Sequence, residues 1–115
     1  MARNYVPDRG DVVWLQFNPR AGHEQSGRRT ALVVSPKAYN QKVGLALFCP
    51  ITKQIKKYPF EVLLPEGSKT SGAVLSDQIK SLDWRVRNAK LMTKAPKETV
   101  REVLAKIHAL VGDAG

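Results

Sequence analysis

Apolar side chains recur at helical spacing over several turns at the end of this chain, and the residues before it are cut into short pieces. Val100, Val103, Leu104, Ile107, Leu110 and Val111 fall on one face of an amphipathic helix. Pro96 suits its first position and Gly112 the position just past its last turn. The earlier pieces are bounded by proline, glycine and polar clusters, and they read as strands. Asp11 to Phe17 alternates: Val13, Leu15 and Phe17 share one face, and Val12, Trp14 and Gln16 share the other. Asn18-Pro19 ends it, because proline cannot donate to a strand ladder. Arg20 to Arg29 is a polar loop of hairpin type. Ala31 to Ser35 is apolar on both faces and predicts a central strand. Leu45–Ile51, Phe60–Leu64, Gly72–Leu75, Gln78–Ser81 and Ala89–Thr93 predict further strands, with a turn at Pro65–Lys69. Pro36 to Asn40 reads as one helical turn with Ser35 as its cap. The expected fold is mainly β with a C-terminal helix, folded as a small barrel.

The chain has 115 residues, which predicts one domain over 1–115 with a modest core that dimerisation would enlarge. Its longest apolar run, Leu45 to Cys49, is too short to cross a membrane. Met1 to Pro7 lacks the apolar stretch of a secretion signal. Cys49 is the only cysteine, which excludes an internal disulfide and a multi-cysteine zinc site. These features together point to a reducing cytoplasm. Cys49 itself reads as a small core residue. The two histidines, His23 and His108, have no acidic cluster beside them, so neither a metal nor another cofactor is expected. His108 reads as a packing residue next to the helix's apolar face.

Net charge is +9 and unevenly spread. Residues 1–60 carry ten basic and three acidic side chains, against nine and seven in residues 61–115. A field of this sign draws polyanions, so nucleic acid or an acidic protein is the natural partner; solubility alone is the plainer explanation.

Candidate chemistry gathers in a few places. The loop before the second strand holds His23, Glu24, Gln25, Arg28 and Arg29. A guanidinium offers a planar fork that matches a phosphate. Arg28 and Arg29 are neighbours, so in an extended chain they point to opposite sides. Glu24 near Arg29 can accept a hydroxyl proton, or simply form a surface ion pair. Thr52, after Pro50-Ile51, can donate to a phosphate oxygen, or be there for strand propensity. Lys53, Lys56, Lys57 and Tyr58 set cations beside a ring able to stack on a base, or form a solvated hairpin tip. Gln78 can read a base edge and Lys80 hold a phosphate. Trp14 and Trp84 read as packing residues first and stacking platforms second. Tyr39-Asn40 reads as structural, at a possible dimer contact.

Asp11-Val12-Val13-Trp14, Asn18-Pro19, the segment from Gly22 to Pro36, Pro50-Ile51-Thr52 and Asp77-Gln78-Ile79-Lys80-Ser81 stand in one order and spacing. In that pattern the chain resembles the MazF/Kid/PemK family of bacterial toxin endoribonucleases, nearest its MazF branch, over residues 5 to 111. The resemblance implies an SH3-like barrel of the PemK type, a homodimer, and a type II toxin that cuts single-stranded RNA without metal. It implies that Arg29 and Thr52 act on the phosphate, with Glu24 as base or orienting group. Gln25, Arg28, Lys53, Lys56, Lys57, Gln78 and Lys80 become RNA contacts, and His23 a bystander or a further contact. The implied products are a 2′,3′-cyclic phosphate and a 5′-hydroxyl end, with ACA triplets as the implied site. The chain departs from that branch at His23, Arg28 and the Lys53–Lys57 loop. The implied partner is an acidic antitoxin with a disordered tail. The alternatives are a non-catalytic RNA-binding module of SH3-like fold, a purely structural dimer, and a gyrase-targeting toxin. That last group ends in Trp-Gly-Ile, where this chain has Gly112-Asp113-Ala114-Gly115.

Overall fold

Neighbouring residues of an extended chain point to opposite sides, yet Val12 and Val13 are both fully buried in strand β1 (Asp11–Gln16). The strand must therefore be covered on both faces. In this computed structural model, which describes residues 5–17 and 28–113, β1 is followed by β2 (Arg28–Val33), helix α1 (Lys37–Val43) and β3 (Leu45–Thr52). Then come β4 (Glu61–Leu63), β5 (Ala73–Leu75), β6 (Lys80–Asp83), β7 (Lys90–Lys94) and helix α2 (Lys97–Val111).

The strands form one antiparallel sheet in the order β4-β5-β3-β2-β1-β7, with β6 also joined to β3. One edge of β3 pairs with β2 from Ala31↔Pro50 to Val33↔Phe48. Its other edge forks: Leu45 to Phe48 pair with β6, and Ile51 and Thr52 pair with β5. The fork turns the sheet's continuation away at β3, so β4 and β7 remain its two ends. Among the described residues no pairing joins them, and the expected barrel does not close. The mainly β character with a C-terminal helix is as the sequence predicts.

Two apolar layers cover the central strands. On one face Val12, Leu32 and Cys49 lie in cross-strand register and pack with Ile51, Val62, Val74 and Val103 of α2. On the other, Val13, Leu15, Ala31, Val33 and Phe48 pack with Trp84. Full burial of one such aliphatic or aromatic side chain is worth about 1.5–3 kcal/mol, so these layers dominate the favourable side of folding. The alternation read in β1 is thus real, and both sets of residues face a core.

The helices differ from expectation at their ends. α1 runs to Val43 instead of stopping after one turn, and its N-cap is Pro36. The Ser35 hydroxyl is used elsewhere: it donates to Asn40 Oδ1 (2.6 Å) and accepts from the Leu47 amide (2.8 Å). Gly44 then stops the helix in the left-handed region (φ 84°), with its amide on the Asn40 carbonyl. Asn40 is wholly buried, away from any surface contact, and its Nδ2 donates to the carbonyls of Pro7 and Ser35. Its own carbonyl accepts from Trp84 Nε1 (3.0 Å). In α2 the stripe overruns the sheet: Leu110 and Val111 are 51% and 75% exposed. Gly112 keeps an ordinary negative φ rather than the left-handed one. Among the described residues no helix is long and apolar enough to cross a membrane.

Candidate functional site

The bonded β2–β3 ladder ends at Ala31↔Pro50. Continued by two residues, the same register sets Arg29 opposite Thr52. Both line a cleft of about 440 Å³, together with Arg28, Thr30, Ile51, Lys53, Lys69, Thr70 and Ser71, and with Trp14 and Met92 behind them. Four of these lining residues are cationic, and no carboxylate lines the cleft among the described residues. Such a wall holds an anion by charge and by many donors at once.

The two arginines leave β2 on opposite sides, as alternation requires. Arg28 pairs with Gln16, on the face of Trp14 and Thr30, and its guanidinium lies 4.8 Å from the centre of the Trp14 ring. That stacking steadies the cation and keeps the ring half-covered. Arg29 pairs with Leu15. It is exposed, so its fork is open to a ligand.

Thr52 sits at the last position of β3, where Oγ1 accepts from the Gln54 amide (3.1 Å). With one lone pair so engaged, the hydroxyl proton is left to donate outward. The Thr52 main chain is hemmed in by Gly72, whose φ of 116° and lack of a Cβ permit the approach.

The other basic residues form a second zone beside the cleft. Lys53 lines the cleft, whereas Lys56 and Lys57 are exposed further along the β3–β4 loop and do not. Gln78 and Lys80 are likewise exposed and off the cleft wall. Gln78 lies ahead of β6, in a turn where its amide donates to the Leu75 carbonyl (3.1 Å), so the strand starts two residues later than its alternation suggests. The two parts of this zone meet through Tyr58, whose hydroxyl donates to Asp77 Oδ1 (2.6 Å). That bond to a carboxylate, with some burial, pushes the Tyr58 phenol up to about 12. Glu24, Gln25 and His23 lie outside the described residues.

Several expectations of plain structure hold. Trp84 is buried, with the Arg85 guanidinium 5.0 Å from its ring centre. The Cys49 thiol is buried, and burial, with Asp77 adding to it, pushes it up to about 12. His108, in contrast, is exposed on the last turn of α2. Lys69, Thr70 and Ser71 were not legible as site residues: they follow a turn whose composition says only that the chain reverses. Their place beside Arg29 comes from the β5–β3 pairing.

A second cationic groove, also about 440 Å³, lies at the start of α2 between Arg9, Lys94, Lys97 and Arg101, over Val100 and Leu104. Lys94 is tied to the buried Asp11 (2.7 Å), whose other oxygen accepts from Tyr5 (2.6 Å). Among the described residues no three His, Cys, Asp or Glu side chains converge as metal ligands.

A sequence model of the PemK-like, MazF-like toxins of type II toxin–antitoxin systems matches residues 8–111. The chain is 49% identical over 113 residues to the endoribonuclease toxin MazF of Escherichia coli K12, covering 97% of this chain and 100% of that one. Its structure superposes on the crystal structure of MazF (Form-I) from Deinococcus radiodurans with a TM-score of 0.86 at 53% identity, over 96% of this chain and 100% of that one. A chain in the MazE–MazF (Form-II) crystal structure from the same organism matches with a TM-score of 0.85 at 47% identity, over 96% and 100%.

Proposed function

The chain belongs to the PemK-like, MazF-like toxins of type II toxin–antitoxin systems, and from that membership we propose that it is a metal-independent endoribonuclease of single-stranded RNA. The observation that carries this reading is the cleft with Arg29 and Thr52 at opposed positions and no carboxylate on its described wall. A scissile phosphate there meets a planar guanidinium and a hydroxyl donor.

The nucleophile is the substrate's own 2′-hydroxyl. As it loses its proton, the oxygen attacks the adjacent phosphorus and expels the 5′-oxygen of the next nucleotide, which takes up a proton from water as it leaves. The products are a 2′,3′-cyclic phosphate and a 5′-hydroxyl end. Arg29 and Thr52 stabilise the charge that grows on the phosphoryl oxygens. Arg29 acts electrostatically, because a guanidinium stays protonated. Glu24 takes or orients the 2′-hydroxyl proton, and Gln25 contacts the strand beside it. Arg28, Lys53, Lys56, Lys57 and Lys80 hold flanking phosphates, and Gln78 reads a base edge. The ACA triplet is the first target to test.

The protein works as a cytoplasmic homodimer held in check by an acidic antitoxin, the counterpart of MazE in the MazE–MazF crystal structure. The antitoxin's tail covers the cationic surface by charge and by occupancy.

The test is one long synthetic RNA incubated with the protein in EDTA, with the 5′ ends of the fragments mapped. Discrete fragments carrying 5′-hydroxyl ends, and an uncut DNA of the same sequence, are expected. Intact RNA that is nevertheless bound would leave a non-catalytic RNA-binding module instead.

A further inference from the structure

The β3–β4 loop, from Lys53 to Phe60, is held through hydrogen bonds to two carboxylates, those of Glu61 and Asp77. Glu61, the first residue of β4, turns back into the loop. Its Oε1 accepts from the Lys57 amide (2.7 Å) and its Oε2 from the Lys56 amide (3.0 Å). Its own amide donates to the Tyr58 carbonyl (3.0 Å). Lys57 has a φ of 63°, a conformation that side chains other than glycine, asparagine and aspartate rarely adopt. It persists there because the Glu61 carboxylate binds the two amides that lead into the bend and the Glu61 amide holds the Tyr58 carbonyl beyond it. At the far end of the loop, Asp77 takes the Tyr58 hydroxyl across nineteen residues of chain.

This arrangement has a consequence for charge. Among the described residues the ion pair within 4 Å is Lys94–Asp11, and neither Glu61 nor Asp77 forms one. Both acids of the loop region are engaged by backbone amides and a phenol. The ammonium groups of Lys53, Lys56 and Lys57 are exposed and left without a carboxylate partner among the described residues. The loop follows Thr52, and its first residue, Lys53, lines the cleft wall with Thr52.

We infer that Glu61 and Asp77 are positioning residues for RNA: they brace the loop so that Lys56, Lys57 and Tyr58 meet the nucleotides flanking the cleaved bond. This rests on the proposed RNA-cleaving function and assigns part of its sequence preference to two acids that touch no RNA. A braced loop loses less freedom on binding than a slack one, and it offers its cations and ring in one geometry. Substitution of the braces then weakens capture of RNA and relaxes the choice of flanking bases, while the chemical step at Arg29 and Thr52 continues.

The experiment compares wild type with Glu61→Ala, Glu61→Gln, Asp77→Asn and Tyr58→Phe. Steady-state cleavage, fragment-end maps, RNA affinity by gel shift, and amide hydrogen exchange at Lys56 and Lys57 are measured. Glu61→Ala is expected to raise KM about tenfold with kcat changed less than about twofold, to broaden the fragment pattern and to lose protection at both amides. Glu61→Gln, which keeps an acceptor oxygen, falls between Glu61→Ala and wild type. Tyr58→Phe, which removes the donor, shifts KM and the fragment pattern in the same direction and decides the matter should Glu61→Ala not fold; Asp77→Asn, which keeps an acceptor oxygen, shifts them less. Unchanged KM and fragment pattern in folded variants, or a loss confined to kcat, overturns the inference. Should wild type cut no RNA, the proposed function falls. The gel-shift affinity of the variants then decides the bracing alone, with equal affinity in all of them overturning it.

Discussion

Gly72 lies against the main chain of Thr52 so closely that a Cβ at Gly72 would overlap the Thr52 carbonyl oxygen and come 2.9 Å from its carbon. The end of β3, where the candidate hydroxyl is carried, is thus set by a residue with no side chain. Gly72→Ala is expected to lower stability by about 2 kcal/mol or more, from both the overlap and the positive φ. It should also cut RNA cleavage, since relief of the overlap moves Thr52. A melting curve and a cleavage assay at a temperature where the variant is folded check this. An unchanged melting temperature would contradict the close approach.

Arg29 is exposed, so truncation costs the fold little. Arg29→Ala is expected to leave the melting temperature within about 2 °C of wild type and to lower kcat by about 100-fold or more, the usual loss of one donor to a developing oxyanion. Arg29→Lys keeps the charge but not the fork, and should recover only part of the rate. Single-turnover cleavage in EDTA measures both.

Much of the fold was legible in local pattern. The alternation of Asp11 to Phe17 names the two faces of β1 correctly, because both faces meet apolar layers. Where the pattern misled, tertiary contacts had the last word. Leu110 and Val111 continue the helical stripe, yet the sheet beneath α2 ends before them. Gln78 alternates like a strand residue, but the Leu75 turn takes its amide. The resemblance implied that Arg29 and Thr52 act together, but the register that opposes them was not legible, since cross-strand pairing depends on how far each strand runs. Lys69 to Ser71 carried no local signal.

Asn40 ties three segments together through Pro7, Ser35 and Trp84, and it is entirely enclosed. Asn40→Ala deletes both side-chain donors and the acceptor of the Ser35 hydroxyl, leaving buried groups unpaired. A loss of about 3 kcal/mol is expected, read from urea unfolding. A loss under 1 kcal/mol would show that water replaces the amide.

Ser76 presents the opposite case: its hydroxyl is buried and has no hydrogen-bond partner among the described residues. Removing it deletes an unmet polar group along with one atom of packing. Ser76→Ala should therefore match wild type or exceed it by up to about 1 kcal/mol in the same unfolding measurement.

The Tyr58–Asp77 bond has a definite pH signature. The folded phenol is raised from 10.0 to about 12. Its contribution to stability is therefore complete below pH 10 and fades as pH rises through the folded value. The ultraviolet titration of wild type minus that of Tyr58→Phe should show a midpoint near 12. A midpoint near 10 would mean that the bond is absent in solution.

Cys49 is sealed within the sheet, and its sulfur holds its proton to about pH 12. Peroxides and low-molecular-weight disulfides act on exposed thiolates. They find no such group on this chain, whose only cysteine is the enclosed one. Oxidative stress that silences thiol enzymes around it would leave this protein running.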